Sequence, residues 1–392
     1  HGVRCLEDQA DPPLACVLRP ICFMRVLLLN QFAPPDTAPT ARLLGDLAAA
    51  FSAEGWDAVL IGKQEGYRHK KKAGLSRILR DALAHLRLFW SGLRAGRSDW
   101  VLCLSDPPGL LFTAALLARI KRARLAHWAM DVYPEVAVRL GALPDGIASR
   151  LVGSAMAWGY RECDLLVALD EDMRGVIEQR GGGGVKTQPP WPPAFESSPQ
   201  APSTAKPRRT WLYSGNLGRA HEFRDLLEAQ KVLETRDAPW RLAFQGGGPG
   251  HEEAKACAVA MGLKHCDWQP YADDETLLDS LLQADVLIAT QKNAMLGLLW
   301  PSKLAVMQLT GRPLLWVGPA RGKIGEDLRA ASPMNGVFSP GDAEAIARWI
   351  GGLPAAGAHP PTTADVVMQK ADELREQGLA RFTQWLLEKK DR

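Results

Sequence analysis

The chain has 392 residues, 46% hydrophobic and 23% charged, a composition that excludes disorder over the bulk of its length. Lys and Arg number 47 against 44 Asp and Glu, a net charge of +3. That is too near balance for a general nucleic-acid binder, and no apolar run approaches the ~20 residues needed to span a bilayer. The length suits two domains.

Residues 1–23 lack both periodic patterning and the order of a signal peptide, so folding is expected to begin at Met24, with 1–23 a non-native or disordered extension. Arg25–Asn30 is a short apolar run, as a strand buried on both faces should be. After a Pro-rich loop, Ala41–Glu54 has helical spacing closed by Gly55. Ala58–Ile61 reads as a strand, and Leu75, Ile78, Leu79, Leu83, Leu86 and Trp90 mark one stripe of a long helix. Trp100–Leu104 strand, Leu110–Ile120 helix, Leu125–Met130 strand, Leu165–Leu169 strand and Asp172–Gln179 helix continue the alternation. Pro189–Pro207 interrupts it with Gly, Pro and Ser. It then restarts with Thr210–Tyr213, Arg241–Gln245, Leu287–Ala289 and Leu314–Val317 as strands. The helices between and after these are Phe223–Leu233, His251–Met261, Ser302–Leu309 and Ala343–Ile350.

Strands alternating with helices mean parallel crossovers, so the expected fold is α/β, with two Rossmann-like doubly wound domains facing across a cleft. The boundaries read as 24–195, a linker 196–209, a second domain 210–370 and a final helix 371–392. Ligands of such sheets bind beyond the carboxyl ends of the strands. The seven cysteines include no Cys-x-x-Cys. They read as free thiols of a reducing compartment, with no metal site among them.

Three loops in the second half carry the chemistry. Tyr213–His221 follows a strand, and its Gly215 and Gly218 allow close backbone approach to a ligand. The helix that follows offers free amides to a phosphate, and Arg219 and His221 add donors. Gly246-Gly247-Gly248 repeats the strand–glycine–helix arrangement. Pro301 starts a helix whose first turn presents Ser302 and Lys303. A Lys is unfavourable at that end of a helix, which suggests an anionic partner. Together the loops read as a nucleotide-diphosphate site. In the first half, Asp131 and Glu135 follow the strand Leu125–Met130 on the cleft side. Asp170-Glu-Asp172 reads as a helix N-cap. Between Lys63 and Arg97 ten Lys or Arg face two acids, a local charge of +8. This basic amphipathic stretch suits either an anionic membrane surface or an ordinary helix with a core-facing Leu stripe and a solvated side.

The ordered set Asn30–Pro35 with Arg42, Met130–Glu135, Tyr213–Gly218, Gly246–Gly248, Ala284-Asp285 and Pro301–Pro313 resembles the family-four glycosyltransferases of GT-B fold. It is similar above all to the bacterial surface-polysaccharide branch, the amino-sugar transferases of colanic-acid and O-antigen type. The resemblance implies a nucleotide-sugar donor, UDP-linked, bound by the second domain as substrate, with no cofactor and no metal. Gly215, Asn216, Gly218, His221, Gly246, Gly247, Gly248, Tyr271 and Ser302 would hold it. Arg219 and Lys303 would stabilise the leaving diphosphate, and Asp131 would be the catalytic residue on the acceptor side. Asn30, Phe32, Pro35, Asp36 and Glu135 would bind a lipid-linked or saccharide acceptor. Transfer would retain anomeric configuration by front-face displacement, at the cytoplasmic face of the plasma membrane, and the final helix would cross back onto the first domain.

The family's two glutamates, with seven residues between them, would fall at Leu298 and Val306. Neither can accept a hydrogen bond from a ribose hydroxyl, so reduced donor affinity or a non-catalytic binding partner is one alternative. A nucleotide-sugar 2-epimerase of similar fold is another.

Overall fold

The computed structural model describes residues 24–36, 38–64, 75–195, 208–354 and 362–390. The extension 1–23, the basic run Tyr67–Lys72 and most of the 196–209 linker lie outside the described residues. The first lobe runs β1 (Arg25–Phe32), α1 (Pro39–Ala53), β2 (Asp57–Lys63), α2 (Leu75–Arg94), β3 (Trp100–Cys103), α3 (Leu110–Lys121) and β4 (Arg124–Trp128). It continues through α4 (Glu135–Arg139), α5 (Ile147–Glu162), β5 (Leu165–Ala168), α6 (Glu171–Gln179) and β6 (Lys186–Thr187). Its strands form one parallel sheet in the order β2-β1-β3-β4-β5-β6.

The second lobe runs β7 (Arg209–Asn216), α7 (Arg224–Thr235), β8 (Trp240–Gly247), α8 (Pro249–Ala260), β9 (Cys266–Gln269), α9 (Asp274–Gln283), β10 (Val286–Thr290) and α10 (Leu304–Met307). Then come β11 (Leu314–Val317), α11 (Lys323–Ala331), β12 (Gly336–Phe338), α12 (Ala343–Gly351) and α13 (Ala364–Lys390). Its sheet is also parallel, ordered β12-β11-β10-β7-β8-β9. Each sheet reverses direction once, between β1 and β3 and between β7 and β10. At such a switch point two crossovers leave on opposite faces and open a crevice.

The central strands are buried on both faces. Val26–Leu29, Val101–Leu104 and Val286–Ala289 are essentially inaccessible, which is why each reads as a continuous apolar run. The last helix lays Phe382 and Leu386 into the first lobe's core, where the Phe382 ring meets Trp128 at a tilt and Trp191 edge to face. It starts at Ala364, seven residues before 371. The helix expected over Ser302–Leu309 is α-helical only over Leu304–Met307, because the Thr310 hydroxyl donates back to the Met307 carbonyl and closes it.

The long helix α2 also differs from the single core-facing stripe. Leu88 is buried and Phe89 and Leu93 pack on the core, whereas Leu79, Leu83, Leu86 and Trp90 are all more than half exposed. No described helix is long and apolar enough to cross a membrane. The described cysteines, Cys103, Cys163, Cys257 and Cys266, are unpaired.

Candidate functional site

Strands β7 and β8 end side by side, with Gly215 opposite Gly246 and Asn216 opposite Gly247. Gly215 and Gly246 have φ of +119° and +144°, a region that a side chain strains. A Cβ on Gly246 would also drive into the Gly215 carbonyl. The two loops therefore interlock through bare backbone. Gly246→Ala should destabilise the protein by about 2–4 kcal/mol and weaken any ligand held there, as read by urea denaturation.

Lys303 points into this junction. Its Nζ is buried with no hydrogen-bond partner and lies 3.4 Å from the Tyr213 ring centroid. A Cβ on Gly215 would sit 3.4 Å from the same nitrogen. Burial holds the ammonium well below the usual lysine range. α10 is one turn long, so its dipole does little here. What makes Lys303 unusual is desolvation, offset only by the aromatic face beneath it.

His221 closes the same pocket. Its Nδ1 is 2.6 Å from the Thr290 carbonyl oxygen and so carries the proton. Burial, followed by the nearby Lys303, pushes its pKa down to about 4. In the neutral ring Nε2 can only accept, so donation to an anion needs a second proton. Asn216 is exposed, and its backbone carbonyl accepts from the Tyr213 hydroxyl. The half-exposed Tyr271 ring lies over Gly247, its hydroxyl 3.4 Å from Asn216 Oδ1. Gly248 packs against that amide, and Gly218 lies between Asn216 and His221. Arg219 and Ser302 are exposed beside the loops. The structure thus gathers most of the donor candidates at the carboxyl ends of β7 and β8, beside the β7–β10 switch point. It adds Tyr213, Thr290 and Lys292, whose signal in the sequence was the polar triplet Thr290-Gln-Lys292 at a strand's carboxyl end.

On the other lobe, Asp131 takes part in a single antiparallel bridge to Leu299 of the second lobe. Next to it the Val132 amide donates to the Leu298 carbonyl at 2.9 Å. The Met130 and Asp131 amides both donate to Ser105 Oγ. Burial, and secondarily the Asp106 carboxylate, push the Asp131 carboxyl up to about 7.

The acceptor candidates fare differently. Asn30 is fully buried; its amide nitrogen donates to the Phe32 carbonyl and to Thr40 Oγ1 and braces the loop, while its Oδ1 is buried without a partner. Asp36 Oδ1 accepts from the Ala38 amide at the start of α1. Glu135 opens α4 and pairs with Arg180. Phe32 is buried against Ala38 and Ala41, while Pro35 is exposed.

A groove of about 1100 Å³ lies in the first lobe and not between the lobes. It runs between α2 and the carboxyl ends of β1 and β2, with Gln31, Phe32, Lys63, Arg80, Leu83 and Trp90 among its lining residues.

Leu298 is buried in the first lobe's core and Val306 in the second's, so neither position offers a polar group. Gln291 holds the segment between β10 and α10 by donating to the Met295 and Leu299 carbonyls. Asp170 caps α6 through the Met173 amide, and Asp172 reaches across the lobes to accept from the Lys323 amide at the start of α11.

No protein-family model matches the chain. It is 27% identical over 258 residues to the probable glycosyltransferase WbjE of Pseudomonas aeruginosa, a match covering 62% of each chain. It is 28% identical over 115 residues to a protein of Escherichia coli K12 named as a colanic acid biosynthesis glycosyl transferase, WcaI, covering 29% of this chain and 28% of that one. The matched stretch thus spans less than two thirds of either curated relative. Among solved structures, the apo lipopolysaccharide outer core galactosyltransferase WaaB superposes with a TM-score of 0.59 at 13% identity, over 93% of this chain and all of that one. HepE of Anabaena in complex with UDP gives 0.61 at 14% identity, over 93% and 99%. The chain therefore has the GT-B fold, and in sequence it resembles the glycosyltransferases that build bacterial surface polysaccharides.

Proposed function

We propose that the protein is a retaining glycosyltransferase that moves a sugar from a nucleotide-diphosphate donor, a UDP-sugar, to a hydroxyl of a lipid-linked or saccharide acceptor in surface-polysaccharide synthesis. The observation that carries this reading is the Lys303 ammonium, buried and unpartnered against the bare backbone of Gly215. A buried cation left in that state needs an anion, and a diphosphate seated on the Gly215 and Gly246 loops would supply it. Its charge grows as the sugar departs, so a preorganised cation there stabilises the transition state more than the ground state.

Arg219, exposed at the rim, would fold over the phosphates. The Tyr271 ring would flank the base. Asp131, on the facing lobe, would orient the acceptor hydroxyl, whose proton passes to the departing phosphate. The reaction needs no divalent ion, and the basic Lys63–Arg97 segment would keep the protein at the anionic cytoplasmic surface of the membrane.

Calorimetry with UDP and a panel of UDP-sugars, followed by transfer to lipid-diphosphate-linked acceptors, tests the reading. Micromolar binding of UDP and turnover of one donor are expected; no binding of any nucleotide sugar would overturn it. The buried apolar side chains of Leu298 and Val306 favour a second reading, a donor-binding relative without turnover. That reading predicts UDP binding with neither transfer nor hydrolysis.

A further inference from the structure

Residues 292–300 leave the donor pocket, cross to the first lobe and return. At the start of this strap the Lys292 amide donates to the Ala220 carbonyl, between Arg219 and His221. In its middle the Leu298 side chain sits in the first lobe's core, the Leu298 carbonyl accepts from the Val132 amide, and Leu299 bridges Asp131. The bare Cα of Gly297, at φ +68°, lies against the Asp172 carbonyl of α6, where a Cβ would come within 2.8 Å of the oxygen. Lys303 follows four residues after Leu299. One short strap therefore joins Lys303 to the segment that meets Asp131.

The strap has little regular structure of its own, one 3-10 turn over Asn293–Met295. Its shape is set by Gln291. That side chain is buried, and its Nε2 donates to the Met295 carbonyl at 2.9 Å and to the Leu299 carbonyl at 3.0 Å. An amide nitrogen has two hydrogens, and both are spent on the strap. The arm has a fixed base, because the Gln291 backbone amide donates to the Val317 carbonyl at the end of β11. An apolar side chain in its place would take a donor from two strap carbonyls at once. The loop between the donor pocket and Asp131 would then be free to change its height.

We infer that Gln291 is a positioning residue: by clamping the strap at Met295 and Leu299 it sets the reach between a diphosphate on Lys303 and the Asp131 carboxylate of the facing lobe. This rests on the glycosyltransferase reading and adds to it a residue that acts through others and touches neither substrate. Donor binding in the ground state uses the second lobe alone and is spared by a loose strap. Transfer needs both lobes in register, and a misplacement of about 1 Å costs such a reaction on the order of 10²-fold.

Gln291→Met in the full chain tests this, since it removes both donors at similar volume. UDP affinity by calorimetry and donor KM should stay within about threefold, while kcat falls by about 10- to 100-fold. The loosened strap readmits water to Asp131, so the pH midpoint of kcat should move below its wild-type value of about 7. The Asp106 carboxylate, which raises the Asp131 pKa from within the first lobe, is left in place. A loss of stability alone moves neither the KM-against-kcat split nor this midpoint. Gly297→Ala pushes the strap off α6 at its far end. It should act in the same way, and it decides the matter if Gln291→Met does not fold. Unchanged kcat and midpoint would overturn the proposal and leave the glycosyltransferase reading standing. A loss of UDP affinity as large as the loss of kcat would also overturn it, by putting Gln291 in the donor pocket. If the wild type binds UDP without turnover, the difference between urea midpoints at pH 5 and pH 8, conferred by Asp131, reads the clamp instead. It should narrow in the variant, and an equal difference would overturn the proposal. No UDP binding by the wild type would overturn the donor reading and the proposal with it.

Discussion

Lys303→Met should abolish donor turnover and at the same time make the folded protein harder to unfold. The two effects share one cause. Folding strips water from the Lys303 ammonium and returns no hydrogen bond, only the Tyr213 ring at 3.4 Å. Its pKa is held well below that of a solvated lysine by this burial. Below the ordinary lysine pKa the unfolded chain therefore binds the proton more tightly than the folded one, and wild-type stability rises with pH through that range.

Methionine keeps the volume and removes the charge. The variant should gain about 1–3 kcal/mol at neutral pH, the range in which an unpartnered buried polar group costs stability, and the gain should shrink toward pH 10. A diphosphate would supply the missing counter-charge and raise the depressed pKa of His221, about 4 in the free protein, so UDP binding to the wild type at mildly acidic pH should take up protons. Calorimetry in buffers of different ionisation enthalpy reads this directly. Loss of the cation should lower kcat/KM by about 10²–10³. A variant that is less stable than the wild type, or that keeps activity within about tenfold, would remove Lys303 from the donor site.

Asp131→Asn is expected to have the next largest effect, with a signature in pH. Burial and the Asp106 carboxylate place the Asp131 pKa at about 7. The folded state then binds this proton more tightly than the unfolded chain, so stability conferred at low pH is lost as pH rises from about 4 through 7. Asparagine cannot ionise. The variant should be flat across this window and, above pH 7, more stable than the wild type by up to about 4 kcal/mol. Urea midpoints at pH 5 and pH 8 separate the two proteins.

For transfer, the charged carboxylate is the form that can accept a hydrogen bond from the acceptor hydroxyl. The wild-type rate should therefore climb with pH to a plateau above 7. The variant should be slower by about 10²–10⁴ and lack the step. An identical pH–rate profile in both proteins would show that Asp131 only ties the lobes together through its backbone.

The helix α5 shows why some of the fold was hidden in the sequence. Its core-facing side is built of Ser149, Gly153, Met156, Gly159 and Tyr160, while Ile147 and Leu151 face outward. Small residues allow close packing on Leu111 and Pro134, but they leave no apolar period to detect. The stripe on α2 misleads in the opposite way. Its periodicity is real, yet period alone does not say which side meets the sheet. The edge strand β9 was missed because its residues are only partly buried.

Within the site, the glycine loops were legible because a strand followed by Gly and then a helix is a local pattern. The local bonds of Asn30 Nδ2 and Asp36 Oδ1 were not, since their backbone and hydroxyl partners are brought near only by the folded loop.

The sequence by itself determined the two parallel sheets, the alternation of buried strands with helices, and the placing of glycines where the chain must run close to a neighbour. These follow from backbone sterics and apolar period, which act over a few residues. Only the tertiary structure decided which groups lost their water. Lys303 is desolvated by Tyr213 and Gly215, some ninety residues away in the chain, and Asp131 by a lobe boundary that includes Leu298 and Leu299. The charge state of a side chain depends on everything that displaces solvent around it. That surrounding is assembled from distant parts of the chain, so the chemistry became visible only when they met.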